Sequence, residues 1–151
     1  MIGLLQRVSH ASVRVGSREV GRIDAGLLVL VGVQRGDTAR EADRLLERLV
    51  TYRVFPDGDG RMNLSLEETR GGLLLVPQFT LAAETRKGTR PGFSTAAPPE
   101  EGERLFVHLL SMARKRLGTV QAGEFGAHMA VSLTNEGPVT FWLEVTPPAS
   151  G

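Results

Sequence analysis

The feature that most constrains the fold of this chain is an uninterrupted apolar run of eight residues, Gly26–Val33. A short run that is apolar throughout is typical of a strand covered on both faces. It is far too short to cross a membrane as a helix. The sequence therefore predicts that this strand lies inside the domain.

A helix is predicted directly after this strand. Thr38 and Glu41 have the spacing of a capping box, in which the two side chains satisfy free N–H groups at a helix start. Apolar residues then follow at helical spacing and form one stripe. They are Ala42, Leu45, Leu46, Leu49 and Val50.

A second helix is predicted from about Pro99 to Leu117. Proline suits a first helical turn, the glutamates after it suit the positive end of the helix dipole, and Gly118 suits its exit. Its buried face is predicted to contain Leu105, Phe106, Leu109, Leu110, Ala113 and Leu117. The dipole alone accounts for the cationic run Arg114–Arg116 at the other end.

Short turn-bounded segments predict strands at both ends of the chain and in its middle. They are Ile2–Val8, Ala11–Val15, Arg18–Ile23, Arg53–Phe55, Gly72–Val76, Ala130–Leu133 and Val139–Val145. A chain of 151 residues that is 41% hydrophobic fits one domain. Many strands with two helices indicate a mixed αβ fold, with helices covering one side of the sheets.

Composition excludes several classes of protein. There is no cysteine, so disulfides and thiolate sites are excluded and a reducing compartment is favoured. We read no signal peptide and expect a soluble cytoplasmic protein. The net charge of +1 argues against a protein that coats nucleic acid. Residues 86–116 carry seven basic and three acidic side chains, which suits either a grip on an anionic ligand or a solvated loop and helix end.

The usual catalytic and metal-binding sets are absent from the sequence. The scattered His10, His108 and His128 are expected to be structural or exposed, and no metal site is predicted. Asp57 and Asp59 lack the remaining ligands of a calcium loop. If the chain is an enzyme, its rate must come mainly from positioning and backbone dipoles.

Two segments look out of place for a plain core. Gln78–Thr80 follows a buried strand, and a strand end leaves backbone N–H groups free for a ligand. Gly137–Pro138 separates two predicted strands, where the alternative is an ordinary hairpin turn.

These segments carry a resemblance to a known family. Pro77-Gln-Phe-Thr-Leu81 resembles the Ser-Gln-Phe-Thr-Leu motif of the D-aminoacyl-tRNA deacylases, and Asn135-Glu-Gly-Pro-Val-Thr140 resembles their Asn-x-Gly-Pro-Val-Thr motif. Further blocks match in the same order, so the likeness extends over about Met1–Val145. These blocks are Leu5–Ser9, Ala11–Val13, Gly26–Val33, Met62–Leu66, Lys87–Pro91 and Phe125–Met129.

The resemblance implies a compact domain of β/β/α layers over residues 1–146, followed by a tail at 147–151. It implies a homodimer with active sites at the subunit interface, and a Gly137-cis-Pro138 element inserted from one subunit into the other's pocket. Arg7 would orient the Gly-Pro carbonyls, and Met129 would lie near the terminal adenine of the tRNA.

The implied reaction is hydrolysis of the ester that joins a D-amino acid to the 3′ end of tRNA, without metal or cofactor. Backbone N–H groups of Phe79 and Thr80 would stabilise the oxyanion beside Gln78, and the tRNA 2′-hydroxyl would help to activate water. The Thr80 hydroxyl would support the reaction without acting as nucleophile. The Gly-Pro carbonyls would bind the substrate amine and reject L side chains, whereas glycine on a wrong tRNA would be accepted.

Position 77 departs from the family pattern. It is proline where the family usually has serine, so both a backbone N–H and a hydroxyl are missing. Two other functions remain open at this point. One is a non-enzymatic dimer that binds RNA ends or nucleotides, and the other is a hydrolase of other small esters or amides.

Overall fold

The N-terminal segment forms one strand where the sequence predicts two. In the computed structural model, which describes residues 1–149, β1 runs without a break over Ile2–Val15. One edge of β1 pairs with β3 (Gly26–Gly32) and then with β2 (Arg18–Ile23), and the other edge pairs with β8 (Ala130–Glu144). The predicted separation near His10 is therefore wrong, because His10 pairs with Thr134 inside the β1–β8 ladder.

The sheet continues beyond β3 with parallel strands. β6 (Gly72–Pro77) runs parallel to β3, and β7 (Val120–Ala122) runs parallel to β6. The strand order is β2-β1-β3-β6-β7, with β8 on the free edge of β1. β7 was not predicted, since three residues carry too little pattern to identify a strand. A separate hairpin joins β4 (Phe55–Pro56) to β5 (Met62–Leu64).

The two predicted helices are present. α1 (Ala39–Thr51) begins at the predicted capping box, where Glu41 Oε1 accepts a hydrogen bond from the Thr38 N–H at 3.2 Å. A short helix that was not predicted, α2 (Leu66–Thr69), follows the β4–β5 hairpin. α3 (Pro99–Arg116) ends one residue before the predicted Leu117, whose backbone is extended.

Alternating side chains of the central strands separate two apolar layers. Leu27 and Val29 of β3 belong to the core that α1 and α3 cover. Leu28 lies in a second core formed with β2, β6 and the C-terminal half of β1. The strand is thus buried on both faces, as predicted, and the mixed αβ fold with helices on one side is confirmed.

The C-terminal segments form one long strand interrupted by a bulge. Asn135 pairs with Val8 and Thr140 with Gln6, so residues 136–139 bulge out opposite one residue of β1. The alternative of an ordinary hairpin turn at Gly137–Pro138 is therefore wrong, because both halves of β8 pair with β1. Residues 147–149 form neither helix nor strand, and Ser150 and Gly151 of the predicted tail lie outside the described residues. The boundary at 146 stays a prediction.

Candidate active site

The backbone after β6 presents two N–H groups that have no acceptor in the described part of the chain. The Gln78 N–H donates to Val31 O at 2.7 Å and ends the ladder. A 3₁₀ turn, Phe79–Ala82, follows, and its first bond runs from the Leu81 N–H to Gln78 O at 3.2 Å. Within residues 1–149, no acceptor lies in bonding geometry to the N–H of Phe79 or Thr80. Both N–H groups are therefore available to an acceptor on a ligand.

Pro77 lies at the end of the ladder between β6 and β7. Alternate N–H groups of β6 point to opposite neighbours, with Leu73 donating to Thr119 and Gln78 donating to Val31. Position 77 therefore faces the β7 side. β7 ends at Ala122, which pairs with Leu75, and the Gly123 N–H donates to Leu75 O at 2.8 Å at the end of this ladder. The missing N–H is thus compatible with the fold.

Beside these donors lies a cavity of about 440 Å³. The end of β6 and the turn after it contribute Pro77–Phe79, and the segment before β8 contributes Phe125 and Met129. α3 closes another side with its first turn, where Pro99 and Gly102 line the cavity. The lining is mainly apolar, so the cavity suits a flat aromatic group.

Gln78 and Thr80 are linked by their side chains. Gln78 Nε2 donates to Thr80 Oγ1, which fixes the direction of that hydroxyl. Gln78 and Phe79 line the cavity, whereas Thr80 is exposed beside it. Of the predicted residues, Gln78, Phe79 and Met129 therefore share one cavity, and Thr80 lies at its margin.

The second predicted element lies apart from this cavity. Gly137 and Pro138 are exposed at the tip of the β8 bulge, and the peptide bond between them is cis. No residue of the bulge lines the cavity of its own chain. Gly137 has a φ of +139°, a conformation that favours glycine.

Arg7 anchors the bulge to the body of the protein. Its Nε donates to Glu136 O at 2.9 Å, and its Nη1 donates to Val54 O at 2.7 Å. The resemblance implied an arginine that orients the carbonyls of Gly137 and Pro138. In the described chain the bonded carbonyl is that of Glu136, one residue earlier.

Asn135 closes the bulge from the other side, a role that the sequence reasoning missed. Its Oδ1 accepts from the Val139 N–H at 2.6 Å, and its Nδ2 donates to Val139 O at 3.2 Å and to Thr140 Oγ1 at 2.9 Å. An asparagine side chain offers both donors and acceptors, so it can bond the two ends of a loop at once. The only sequence signal for this role was that Asn135 is the first residue of the motif Asn135–Thr140.

Two histidines lie away from the cavity and one lines it. His10 lies within hydrogen-bond distance of Ser9 and Thr134 on the surface, and His108 Nε2 lies 2.7 Å from Asp43 Oδ1 between α3 and α1. His128, expected to be structural or exposed, is exposed and also lines the cavity. Across residues 1–149, no three His, Asp or Glu side chains cluster as metal ligands.

The turn with Asp57 and Asp59 uses its carboxylate internally. Asp57 Oδ1 accepts from the N–H of Asp59 at 2.8 Å and from that of Arg61 at 3.1 Å. These backbone bonds hold the pKa of Asp57 below its usual value. The carboxylate thus shapes the turn.

Comparison with known proteins relates the whole chain to one family. The family model for D-Tyr-tRNA(Tyr) deacylase matches residues 4–144. A D-aminoacyl-tRNA deacylase of Thioalkalivibrio sulfidiphilus is 64% identical over 98% of this chain and 99% of its own length. One of Janthinobacterium sp. (strain Marseille) is 60% identical over 97% of this chain and 99% of its own length.

Solved structures share the fold. A structure described as c-Myc DNA unwinding element binding protein has a TM-score of 0.93 and 35% identity, covering 97% of this chain and 100% of that one. A probable eukaryotic D-amino acid tRNA deacylase has a TM-score of 0.81 at 19% identity, covering 95% and 98%.

None of the helices in residues 1–149 has the length and apolar character needed to cross a membrane. The motif after β6, the motif in the β8 bulge and the full-length match agree with one another. The chain belongs to the D-aminoacyl-tRNA deacylase family.

Proposed function

We propose that this protein hydrolyses the ester of D-aminoacyl-tRNA and thereby removes D-amino acids from tRNA before translation uses them. The observation that carries the proposal is the pair of free N–H groups at Phe79 and Thr80 beside an apolar cavity of about 440 Å³. Family membership supports the same reaction. The proposal includes a cytoplasmic location, where translation uses aminoacyl-tRNA.

The cavity is proposed to hold the terminal adenosine of the tRNA. Its volume lies in the range of small-molecule sites, and Phe125 and Met129 provide apolar surface for a purine ring. The ester would then lie at the Phe79 end of the cavity, next to the free backbone donors. This placement needs neither metal nor cofactor.

The reaction joins the oxygen of a water molecule to the ester carbonyl carbon and releases the tRNA hydroxyl as the leaving group. The N–H groups of Phe79 and Thr80 would stabilise the negative charge that develops on the carbonyl oxygen. We assign activation of the water to the neighbouring 2′-hydroxyl of the tRNA. Gln78 holds the Thr80 hydroxyl, which supports the reaction without acting as nucleophile.

Rejection of L-amino acids is assigned to the β8 bulge. The carbonyl oxygens of Gly137 and Pro138 would bind the substrate α-amino group, and an L side chain would then collide with the rigid main chain. Arg7 would preserve that rigidity through its bond to the Glu136 carbonyl. Glycine has no side chain to collide, so glycine attached to a wrong tRNA would also be removed.

The bulge is proposed to act on the cavity of a second subunit in a homodimer. Gly137 and Pro138 are exposed and do not line the cavity of their own chain. β8 is a 15-residue edge strand that pairs only with β1 within residues 1–149. Free edges of this length are commonly used for association, and the exposed Trp142 adds apolar surface on the same strand.

The test is a deacylation assay with D-Tyr-tRNA, L-Tyr-tRNA and Gly-tRNA, following the ester that remains. Loss of only the D-tyrosyl and glycyl esters supports the proposal. Equal loss of the L-tyrosyl ester would remove the assigned filter and favour a general esterase. No loss of any ester, with retained RNA binding, would favour a non-enzymatic binding module.

A further inference from the structure

Two exposed aromatic rings lie next to each other, one lining the proposed adenosine cavity and one outside it. The centroids of Phe79 and Phe93 are 5.2 Å apart and their planes are inclined by 47°. Phe79 is 58% exposed and Phe93 is 42% exposed, although large aromatic side chains are usually buried. Phe79 lines the cavity, whereas Phe93 does not. The pair therefore extends an apolar surface from the cavity outwards.

Phe93 belongs to a loop with an excess of positive charge. This basic loop, residues 83–98, contains Arg86, Lys87 and Arg90 as cations and Glu84 as its one acid. Arg86 lies 3.8 Å from Glu84. Lys87 and Arg90 are exposed, and neither has an ion-pair partner within residues 1–149.

The basic loop is held at its base, so the aromatic ring and the cations keep a defined place. Glu84 and Gly92 exchange two backbone hydrogen bonds, of 2.7 and 2.9 Å. Arg35 binds the loop through its Nε to Ser94 O at 2.9 Å, and the Thr95 hydroxyl donates to Ala82 O. Anchoring of this kind lowers the entropy cost of binding a ligand.

Charge distinguishes this side of the cavity from the side built by α3. The first turn of α3, which lines the cavity with Pro99, carries the exposed Glu100 and Glu101. Each phosphodiester of an RNA strand that leaves the cavity is negative, so the basic loop attracts the strand more strongly than the first turn of α3, where Glu101 lies 3.8 Å from Arg104. Nucleic acid strands bind where a cationic groove runs beside exposed aromatic rings, because every base has a face that can stack.

We propose that Phe93 and the cations of the basic loop bind the single-stranded RNA directly upstream of the terminal adenosine. One base stacks on Phe93, and backbone phosphates contact Lys87 and Arg90. The inference rests on the proposed function, since it assumes that the RNA terminus occupies the cavity. It makes Phe93 a positioning residue that touches RNA and not the reacting ester.

The test compares D-Tyr-tRNA with 3′-O-D-tyrosyl-adenosine. The small substrate contains the terminal adenosine but lacks the upstream nucleotides that would contact Phe93, Lys87 and Arg90. Phe93→Leu should raise the KM for D-Tyr-tRNA about tenfold, because stacking on an aromatic residue is worth roughly 1–3 kcal/mol per base. The adenosine ester should be hydrolysed at an unchanged rate. Phe93→Tyr, which keeps the ring, should restore the KM. An unchanged KM in Phe93→Leu, or an equal loss on both substrates, would overturn the proposal.

Binding of a non-acylated RNA ending in CCA tests the charges independently of catalysis. In Lys87→Ala/Arg90→Ala, the slope of log Kd against log salt should fall by about 1.4, since each phosphate contact on a single strand contributes roughly 0.7. Arg22→Ala, which removes an exposed charge on β2, is the matched control and should leave the slope unchanged.

The two proposals fail in different ways. A protein that hydrolyses no D-ester but loses RNA affinity in Phe93→Leu would contradict the proposed reaction and retain this RNA contact. A protein that hydrolyses D-Tyr-tRNA, with identical RNA affinity and salt slope in wild type and in the Phe93 and Lys87/Arg90 variants, would overturn the RNA contact alone.

Discussion

The turn after β6 and the bulge of β8 carry the two halves of the proposed chemistry, and they are held in place differently. The β6 turn is fixed by main-chain bonds, from Gln78 to Val31 and from Leu81 to Gln78. The β8 bulge is fixed by the side chains of Arg7 and Asn135. The β6 turn lines a cavity of its own chain, whereas no residue of the bulge lines it.

This difference determines which substitutions matter. A geometry made of main-chain bonds survives the loss of a side chain, because the bonded atoms remain. The bulge is held by side chains, so it depends on each of them. It also depends on Gly137, whose φ is positive. We therefore expect single substitutions in the bulge to cost more activity than side-chain truncations in the β6 turn.

The largest effect is expected for Gly137→Ala. A Cβ at this position would lie 2.8 Å from Val139 Cγ2 and 3.1 Å from Arg7 Nη2, at a φ of +139°. The bulge must shift, and a small displacement of a positioning group can cost about a hundredfold in rate. We expect kcat/KM on D-Tyr-tRNA to fall by about that factor, while the circular dichroism spectrum of the fold stays the same.

Gly16→Ala is the matched control for that substitution. Gly16 also has a positive φ, +59°, but nothing lies within 4 Å of the added Cβ. Strain without a clash should lower stability by about 1 kcal/mol and leave kcat/KM unchanged. Full activity in Gly137→Ala would remove Gly137 from the site.

Asn135→Ala should have the next largest effect. It leaves the Val139 N–H without its acceptor at 2.6 Å, and an unsatisfied donor costs roughly 1–3 kcal/mol. We expect about a tenfold loss of kcat/KM as the bulge loosens. Asn135→Asp keeps that acceptor and should fall between wild type and Asn135→Ala. If the two variants match wild type in the deacylation assay, Arg7 alone holds the bulge.

Thr80→Ala tests the β6 turn. It removes the hydroxyl that accepts from Gln78 but leaves the Thr80 N–H in place. Because one hydrogen bond contributes about 1 kcal/mol net, kcat/KM should fall by less than about tenfold. A complete loss of single-turnover activity would mean that the hydroxyl takes part directly in the reaction. It would also contradict the expectation that truncations in the β6 turn cost less activity than substitutions in the bulge.

The sequence predicted the parts of the molecule that depend on local pattern. The capping box at Thr38 and the uninterrupted apolar run of β3 are visible in the local sequence alone. The motif resemblance further directed attention to Phe79 and Gly137. The continuous path of β1 and the presence of β7 were missed, because both depend on pairing with distant strands.

Some contacts that hold the candidate site also depend on residues far apart in the sequence, and the sequence did not predict them. The bond from Arg7 to Glu136 joins residues 129 positions apart, so no local pattern encodes it. Arg116 is a similar case at the far end of α3. The sequence explained its charge by the helix dipole, whereas the structure pairs it with Glu47 of α1 and Glu67 of α2.

The smallest effect is expected from Glu47→Gln, which weakens this three-helix contact without touching either region. The Arg116 guanidinium holds the pKa of Glu47 below its ordinary value of 4.5. A carboxyl with a lowered pKa stabilises the fold at neutral pH, and this stability is lost as the pH falls through that lowered pKa. Wild type should therefore unfold at slightly higher urea than Glu47→Gln at pH 7, and the difference should vanish under acid conditions. Deacylation at pH 7 should be equal in both, because neither the β6 turn nor the bulge contacts Glu47. A loss of activity comparable to that of Asn135→Ala would mean that the helical layer controls the bulge, and that its two side-chain anchors do not act alone.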